Sequence, residues 1–187
     1  MSPLKLVIST PIQPIPRGFG FFQTEEQSLY VQLGGLFDSR RFYSFIDSPI
    51  SRFDIDRCGH LLFFEVKAPR NHWRVTNNLT LPESIEPADI RWLGFRLSAE
   101  SPKLQTNEEY SVLKLQLSDA TPKFNYYLAD SVIIQVDQSD NAVAIMITEI
   151  AEDSAGRKIA EFRRDLRGKT AGISSSSQSY TITFTVS

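Results

Sequence analysis

The segment ISRFDIDRCGHLLFFEV (residues 50–66) decides the fold, because it reads as two strands joined by a tight turn. Charged and apolar residues alternate from position 52 to position 56, which is typical of a strand with one exposed face. Asp56 and Gly59 then supply turn chemistry, since aspartate caps a turn and glycine accepts positive φ. The returning strand, Leu61–Phe64, is apolar on both sides. It predicts a central strand that is covered on both faces.

The same pattern returns in the second half of the chain. LYVQL (residues 29–33) is repeated as LKLQL (113–117). Each copy is followed by an apolar strand that ends in an aspartate turn and then by a second apolar strand, at residues 53–56 and 61–66 in the first half and at 134–137 and 143–147 in the second. This repetition predicts two related β units, which we assign to residues 1–78 and 79–187.

The second unit resembles a small bacterial family known as domain of unknown function 2283. The resemblance lies in SVLKLQLSD (111–119), VIIQVD (132–137) and VAIMI (143–147), and in the first unit SLYV (28–31) and DRCGHL (56–61) match the same pattern. That pattern is a short strand, a hairpin, an apolar strand, an Asp-x-x-Gly turn and a final strand. The second turn departs from it, because it reads as one residue longer and carries Asp140-Asn141 in place of the glycine. Neither copy has the glycine usual in the last strand. The resemblance implies a β fold and brings no reaction or known site.

These features predict a mainly β protein whose two antiparallel units form a sandwich or a partly open barrel. One short helix is predicted over residues 152–167, where apolar residues recur at helical spacing (Ile159, Phe162 and Leu166). Either Asp153 or Ser154 caps its start, and Gly168 ends it.

A last strand is predicted at the C-terminus. Tyr180–Val186 alternates strictly between apolar and polar residues, and it follows a serine-rich tether at Ser174–Ser177. A strand on such a tether pairs with its own sheet or with the sheet of a neighbouring copy. We expect the first arrangement, and the second would make the protein a homo-oligomer.

Composition restricts the setting and the partners. The net charge of −2 gives no general attraction for nucleic acid or for an anionic membrane surface. Cys58 is the only cysteine, so no disulfide forms within the chain. The N-terminal residues read as a strand and not as a signal peptide, and no apolar run is long enough to span a membrane. We therefore expect a cytoplasmic protein that binds neither membrane nor nucleic acid.

The titratable residues of the first turn have two interpretations. Asp54 and Asp56 lie two apart on one strand, as an acid/base pair requires, but a turn cap at Asp56 and an ion pair between Asp54 and Arg52 explain them better. Cys58 and His60, with His72 as a third donor, have spacing that suits a metal. Three such residues in the whole chain are too few, so we predict no metal site, no cofactor and no catalytic residue.

The leading binding candidate is the basic and aromatic cluster formed by Arg70, His72, Trp73 and Arg74. Such a mixture binds a ligand or anchors a protein partner. The alternative is that Trp73 packs at the joint between the two units. Trp92 and Phe95 read as core residues.

Three functional hypotheses follow. The first, which we favour over the other two, is a soluble, non-enzymatic interaction or self-association module, with a second copy of the chain as the expected partner and another protein as the alternative. The second is a carrier of a small apolar ligand, with a cavity within or between the units. The third is a hydrolase-type enzyme at the joint between the units, using residues such as Asp54, Asp56, His60 and His72.

Overall fold

The computed structural model describes residues 3–34, 42–94 and 96–174, with side chains as far as residue 165. The predicted fold class is confirmed: the described residues are mainly β, and their sheets form a two-sheet, sandwich-like arrangement and not a closed barrel. The C-terminal strand predicted at Tyr180–Val186 lies outside the described residues, as does Phe95. No helix within the described part of the chain is both long and apolar enough to cross a membrane.

The described residues form sixteen strands, one 3₁₀ turn at Arg70–His72 and one α-helix. The strands are β1 (Leu6–Ser9), β2 (Gly18–Gln23), β3 (Ser28–Leu33), β4 (Ser44–Asp47), β5 (Ser51–Ile55), β6 (Leu61–Lys67), β7 (Arg74–Val75), β8 (Glu86–Pro87), β9 (Asp89–Trp92), β10 (Leu97–Ser98), β11 (Lys103–Thr106), β12 (Leu113–Gln116), β13 (Phe124–Ala129), β14 (Val132–Val136), β15 (Ala142–Ile147) and β16 (Ala151–Asp153). The helix, α1, spans Arg157–Ser174.

Two seven-stranded sheets share one pairing pattern. The first has the order β10-β4-β5-β6-β3-β2-β16, and the second, read from the opposite edge, has the order β8-β13-β14-β15-β12-β11-β7. The five central strands of each sheet pair antiparallel, and both outermost strands pair parallel. β7 follows the first sheet in the chain but joins the edge of the second, and β16 does the reverse. These exchanged strands tie the two sheets together.

The core lies between the sheets. β3 and β12 carry the repeated segments, and Leu29 and Leu113 at their starts are fully buried. Leu29 pairs with Val66 of β6, and Leu113 pairs with Ile147 of β15, so the repeats hold matching positions. Burying a side chain of this size stabilises the fold by roughly 1.5–3 kcal/mol. A single apolar cluster includes residues of both sheets.

The helix packs on the outer face of the first sheet. Ile159 and Phe162 pack against an aromatic cluster there, and the Phe162 ring stacks on Phe63 with centroids 4.8 Å apart. Asp153, one of the two predicted candidates, caps the first turn from four residues before the helix, since its carboxylate accepts the Lys158 and Ile159 N–H groups at 3.0 and 2.9 Å. The helix begins later than predicted, because residues 151–153 form β16, and it continues past Gly168. The side chain of Leu166 lies outside the described part.

A short ribbon of β1 and β9 joins the two aspartate turns. The two strands pair antiparallel, with Leu6 opposite Trp92. The Leu6 N–H donates to the Asp140 carbonyl at 2.9 Å, and the Trp92 N–H donates to the Gly59 carbonyl at 2.8 Å. Each strand of the ribbon therefore holds the turn of the other half of the chain. The boundary between residues 78 and 79 stays a prediction.

Candidate ligand site beside the first aspartate turn

The turn between β5 and β6 is organised by the carboxylate of Asp56, which is 6% exposed. Its Oδ1 accepts the N–H groups of Cys58 and His60 at 2.8 and 2.9 Å. The Asp56 N–H donates to the His60 carbonyl, and the Gly59 N–H donates to the Asp56 carbonyl. The predicted turn cap is confirmed. These bonds satisfy backbone N–H groups that the sheet leaves unpaired, and they therefore fix the conformation of the turn beside the candidate site.

The turn between β14 and β15 has the same frame. Oδ1 of Asp137 accepts the N–H groups of Ser139 and Asn141 at 2.8 and 3.0 Å, and the two matching backbone bonds are present. Asp140 occupies the place of Gly59, with φ of +57° against +91°. The prediction that this turn is one residue longer was wrong. Aspartate tolerates the left-handed region better than most residues, so it stands where the pattern expects glycine.

His60 lies between two carboxylates. Its Nδ1 is 3.2 Å from Asp56 Oδ2, and its Nε2 is 2.7 Å from Asp89 Oδ1. Asp89 belongs to β9, and its other oxygen accepts bonds from Arg91 Nε at 2.8 Å and from Ser9 Oγ at 3.4 Å. The ribbon thus brings to the first turn a carboxylate that is distant in sequence.

The electrostatics of Asp89 reflect this pairing. Burial raises the pKa of its carboxyl group, but the hydrogen bonds and positive charges of His60 and Arg91 outweigh burial and hold that pKa below its ordinary value. Asp89 is therefore ionised at neutral pH and holds the imidazole in place.

A cavity of about 510 Å³ opens beside His60 and Asp89. A strap of residues 11–17, rich in proline, forms one wall, and side chains of both halves of the chain, such as Leu61 and Leu128, form others. The far end of the strap is fixed because the Pro16 carbonyl accepts the Asp130 N–H at 2.9 Å. Apolar and polar groups contribute similar shares of the cavity lining, and the polar residues include Arg17 of the strap as well as His60 and Asp89. This arrangement suits a ligand with an apolar body and a polar end.

Three donor types meet at the first turn. A carboxylate oxygen of Asp56, the sulfur of Cys58 and a ring nitrogen of His60 lie within 4.8 Å of one another. Cys58 is exposed, and His60 is partly buried. Of the enzyme set considered from sequence, only Asp56 and His60 are brought together.

The remaining two members of that set lie elsewhere. Asp54 pairs with Arg52, with Arg52 Nη2 3.2 Å from Asp54 Oδ1, which confirms the predicted ion pair. Burial raises the pKa of Asp54, although the positive charge of Arg52 opposes this. His72 lines a second cavity of about 370 Å³, together with Arg74 and Lys103.

The sequence-predicted cluster is divided between two environments. Trp73 is 3% exposed and donates its indole N–H to the Ala68 carbonyl at 3.1 Å, so it packs in the core. The Arg70 guanidinium lies over the rings of Phe22 and Tyr110, at 4.4 and 5.1 Å from the centroids, and it pairs with Glu152. His72 and Arg74 line the second cavity.

Asp89 is the site residue that sequence reasoning missed. It stands two residues before Arg91 in the alternating strand DIRW (residues 89–92), so both side chains are on one face. The spacing of Asp89 and Arg91 was the sequence signal that could have pointed to a pair on one face. The contact between Asp89 and His60 depends on the strand order, which a local sequence pattern does not reveal.

Comparisons with known proteins add no assignment. No protein-family model matches the chain, and no characterised protein matches it in sequence. The resemblance to domain of unknown function 2283 stays a prediction.

Proposed function

We propose that this protein is a binding protein that holds a small ligand in the cavity beneath the proline-rich strap. The observation that carries the proposal is the cavity of about 510 Å³, which lies between the two halves of the chain and beside a fixed polar cluster. Ligand sites are typically concave and mostly apolar, with a few placed polar groups. This proposal is the carrier hypothesis of the sequence analysis, to which the structure adds polar groups in the cavity that could recognise one end of the ligand.

The lining restricts the ligand class. Proline and leucine side chains favour an apolar body, while Arg17 offers donors to an acidic or hydrogen-bonding end. Arg17 forms no ion pair with any described residue and lies at the cavity wall. A small molecule with an apolar part and one carboxylate or similar group is the best match.

The sheet edges give less support to self-association. Within the described residues, the four outermost strands, β7, β8, β10 and β16, are two or three residues long. Short edge strands restrict pairing with another chain. A homo-oligomer formed through Tyr180–Val186 stays a hypothesis. It predicts that deletion of residues 180–187 lowers the oligomeric state, and an unchanged assembly would remove it.

We also infer that the two halves arose by internal duplication. The support is the shared strand order of the two sheets and the shared frame of the two aspartate turns. The cytoplasmic setting and a protein partner at Arg70, His72, Trp73 and Arg74 remain proposals from sequence.

The test uses anilinonaphthalene sulfonate, a fluorescent probe with an apolar body and an anionic group. Ala88 lines the cavity, so Ala88→Trp fills it, whereas Ala120 is exposed and is not one of the lining residues, so Ala120→Trp is the matched control. We expect saturable binding to the wild type and to Ala120→Trp and loss of binding in Ala88→Trp. Equal binding by all three proteins would exclude this cavity as the site.

A further inference from the structure

We propose that Asp56, Cys58 and His60 form a binding site for a divalent metal ion of the zinc class, with water as a fourth ligand. The sequence predicted no such site, because Cys58 and His60 had only His72 as a third donor. The folded turn replaces His72 with Asp56. One thiolate, one imidazole and one carboxylate make up a donor set that Zn²⁺ accepts. The proposal does not depend on the function assigned to the cavity.

The first argument is the position of the imidazole. Both ring nitrogens of His60 face carboxylate oxygens, at 3.2 and 2.7 Å. Nδ1 of His60 and Oδ2 of Asp56 therefore lie side by side, where one cation can accept both atoms as ligands. Coordination of a cation through Nδ1 leaves the N–H of the ring on Nε2, where it donates to Asp89.

The second argument is the spacing of the donors. Tetrahedral zinc with ligands at about 2.0 Å requires neighbouring nitrogen and oxygen donors to be about 3.3 Å apart. Nδ1 of His60 and Oδ2 of Asp56 are 3.2 Å apart. The sulfur of Cys58 lies within 4.8 Å of both partner groups and requires about 3.5 Å. Cys58 is exposed, and the proposal requires its side chain to rotate toward the other two donors when the ion binds.

The third argument is the support behind the histidine. Metal-binding histidines usually donate the second ring N–H to a carboxylate, which fixes the ring and strengthens the ligand. Asp89 occupies this position, and Arg91 in turn holds Asp89 with Nη2 at 2.7 Å. Asp56 is also fixed, because its Oδ1 accepts two backbone N–H groups while Oδ2 faces the histidine.

The second aspartate turn provides an internal contrast. Ser139 and Asn141 stand where the first turn has Cys58 and His60, on the same backbone frame. A hydroxyl and an amide are poor ligands for zinc, so we assign no such site there. The contrast also supplies safe substitutions, since Cys58→Ser and His60→Asn place in the first turn the residues that the second turn already accommodates.

The experiment titrates the purified full-length protein with Co²⁺, which reports a thiolate ligand through a charge-transfer band in the near ultraviolet. We expect the band to saturate at one ion per chain and to be displaced by Zn²⁺. We expect no band in Cys58→Ser, loss of tight binding in His60→Asn, and unchanged binding in the control Ser139→Ala. Asp89→Asn keeps all three ligands, and we expect its affinity to fall about 10–100-fold.

Thermal melting supplies a second measurement. An ion that binds only the folded chain raises the melting temperature. We expect Zn²⁺ to do so for the wild type and for Ser139→Ala but not for Cys58→Ser. A missing thiolate band in the wild type, or equal Co²⁺ affinity in the wild type and in His60→Asn, would overturn the proposal.

Discussion

The two aspartate turns share a backbone but differ in chemistry. In both, one carboxylate oxygen accepts the N–H groups two and four residues later. In the first turn the side chain of the fifth residue is a histidine that reaches Asp89 on the ribbon. In the second turn it is Asn141, whose Nδ2 donates back to Asp137 Oδ2 at 2.9 Å. The aspartate therefore fixes the backbone of the turn, and the third and fifth residues determine which other side-chain contacts and ligands the turn offers.

The surroundings of the turns differ as well. The ammonium group of Lys5 donates to the Ser139 carbonyl at 3.0 Å, so a cation from β1's flank contacts the second turn. The first turn contains Arg57, whose guanidinium lies 5.4 Å from the centroid of the Tyr43 ring, and Arg91 nearby is engaged by Asp89. The first turn thus keeps a carboxylate, a thiol and an imidazole together without a lysine. The two turns share one backbone conformation, but it is the first turn that combines side chains able to act as metal ligands.

The largest expected effect on stability is at the fourth residue of each turn, which is Gly59 in the first turn and Asp140 in the second. A Cβ at Gly59 would lie 2.7 Å from the Trp92 carbonyl oxygen, and φ there is +91°. We expect Gly59→Ala to lower the free energy of unfolding by about 3 kcal/mol. Asp140→Ala, at φ of +57°, is expected to cost about 1 kcal/mol. Urea denaturation of both variants measures the difference, and equal losses would show that the two positions are not distinct.

The next effect compares the two capping aspartates. Asp56 is buried and serves two backbone donors and His60, so Asp56→Ala is expected to cost about 2 kcal/mol, because the freed N–H groups lose their acceptor. Asp137 is more exposed, and water can replace its carboxylate, so Asp137→Ala is expected to cost less than Asp56→Ala. Denaturant midpoints check the order, and a larger loss at Asp137 would contradict it.

A smaller effect appears as a pH dependence at Asp89. Its pKa in the folded protein is held below the unfolded value by His60 and Arg91, despite burial. Its contribution is therefore complete above the unfolded pKa of about 3.9 and is lost as the pH falls through the folded pKa. We expect the free energy of unfolding to fall more steeply between pH 5 and pH 3 in the wild type than in Asp89→Asn. Parallel curves would show that this pairing contributes no stability.

The fold was largely accessible from sequence. Alternation in residues 52–56, the doubly apolar strand at 61–64 and the repeated LYVQL and LKLQL segments all depend on neighbours in the chain, and each forms the expected strand. The exchange of β7 and β16 between sheets was not accessible. A strand of two or three residues is too short to show a periodic sequence pattern. Its pairing partner depends on which sheet edges the rest of the fold leaves unpaired.

The site was accessible only in part. The cap at Asp56 is local, because donor and acceptor lie within five residues, and turn chemistry predicted it. The contact between His60 and Asp89 crosses 29 positions and exists because the ribbon returns to the turn. Arg70 shows the same limit, since its aromatic partners Phe22 and Tyr110 come from both halves of the chain. Contacts of this kind follow from topology.

The smallest expected effect on stability is at Cys58, which is compared directly with Ser139, the third residue of the second turn. Ser139 holds the matching place in the second turn, and Cys58 is exposed, so Cys58→Ser should change the free energy of unfolding by less than about 0.5 kcal/mol without metal. The same variant should lose the stabilisation by Zn²⁺ that the wild type shows. Melting curves with and without Zn²⁺ measure both. A large loss without metal would mean that the thiol supports the turn itself, and the third residue would then belong to the frame that both turns share.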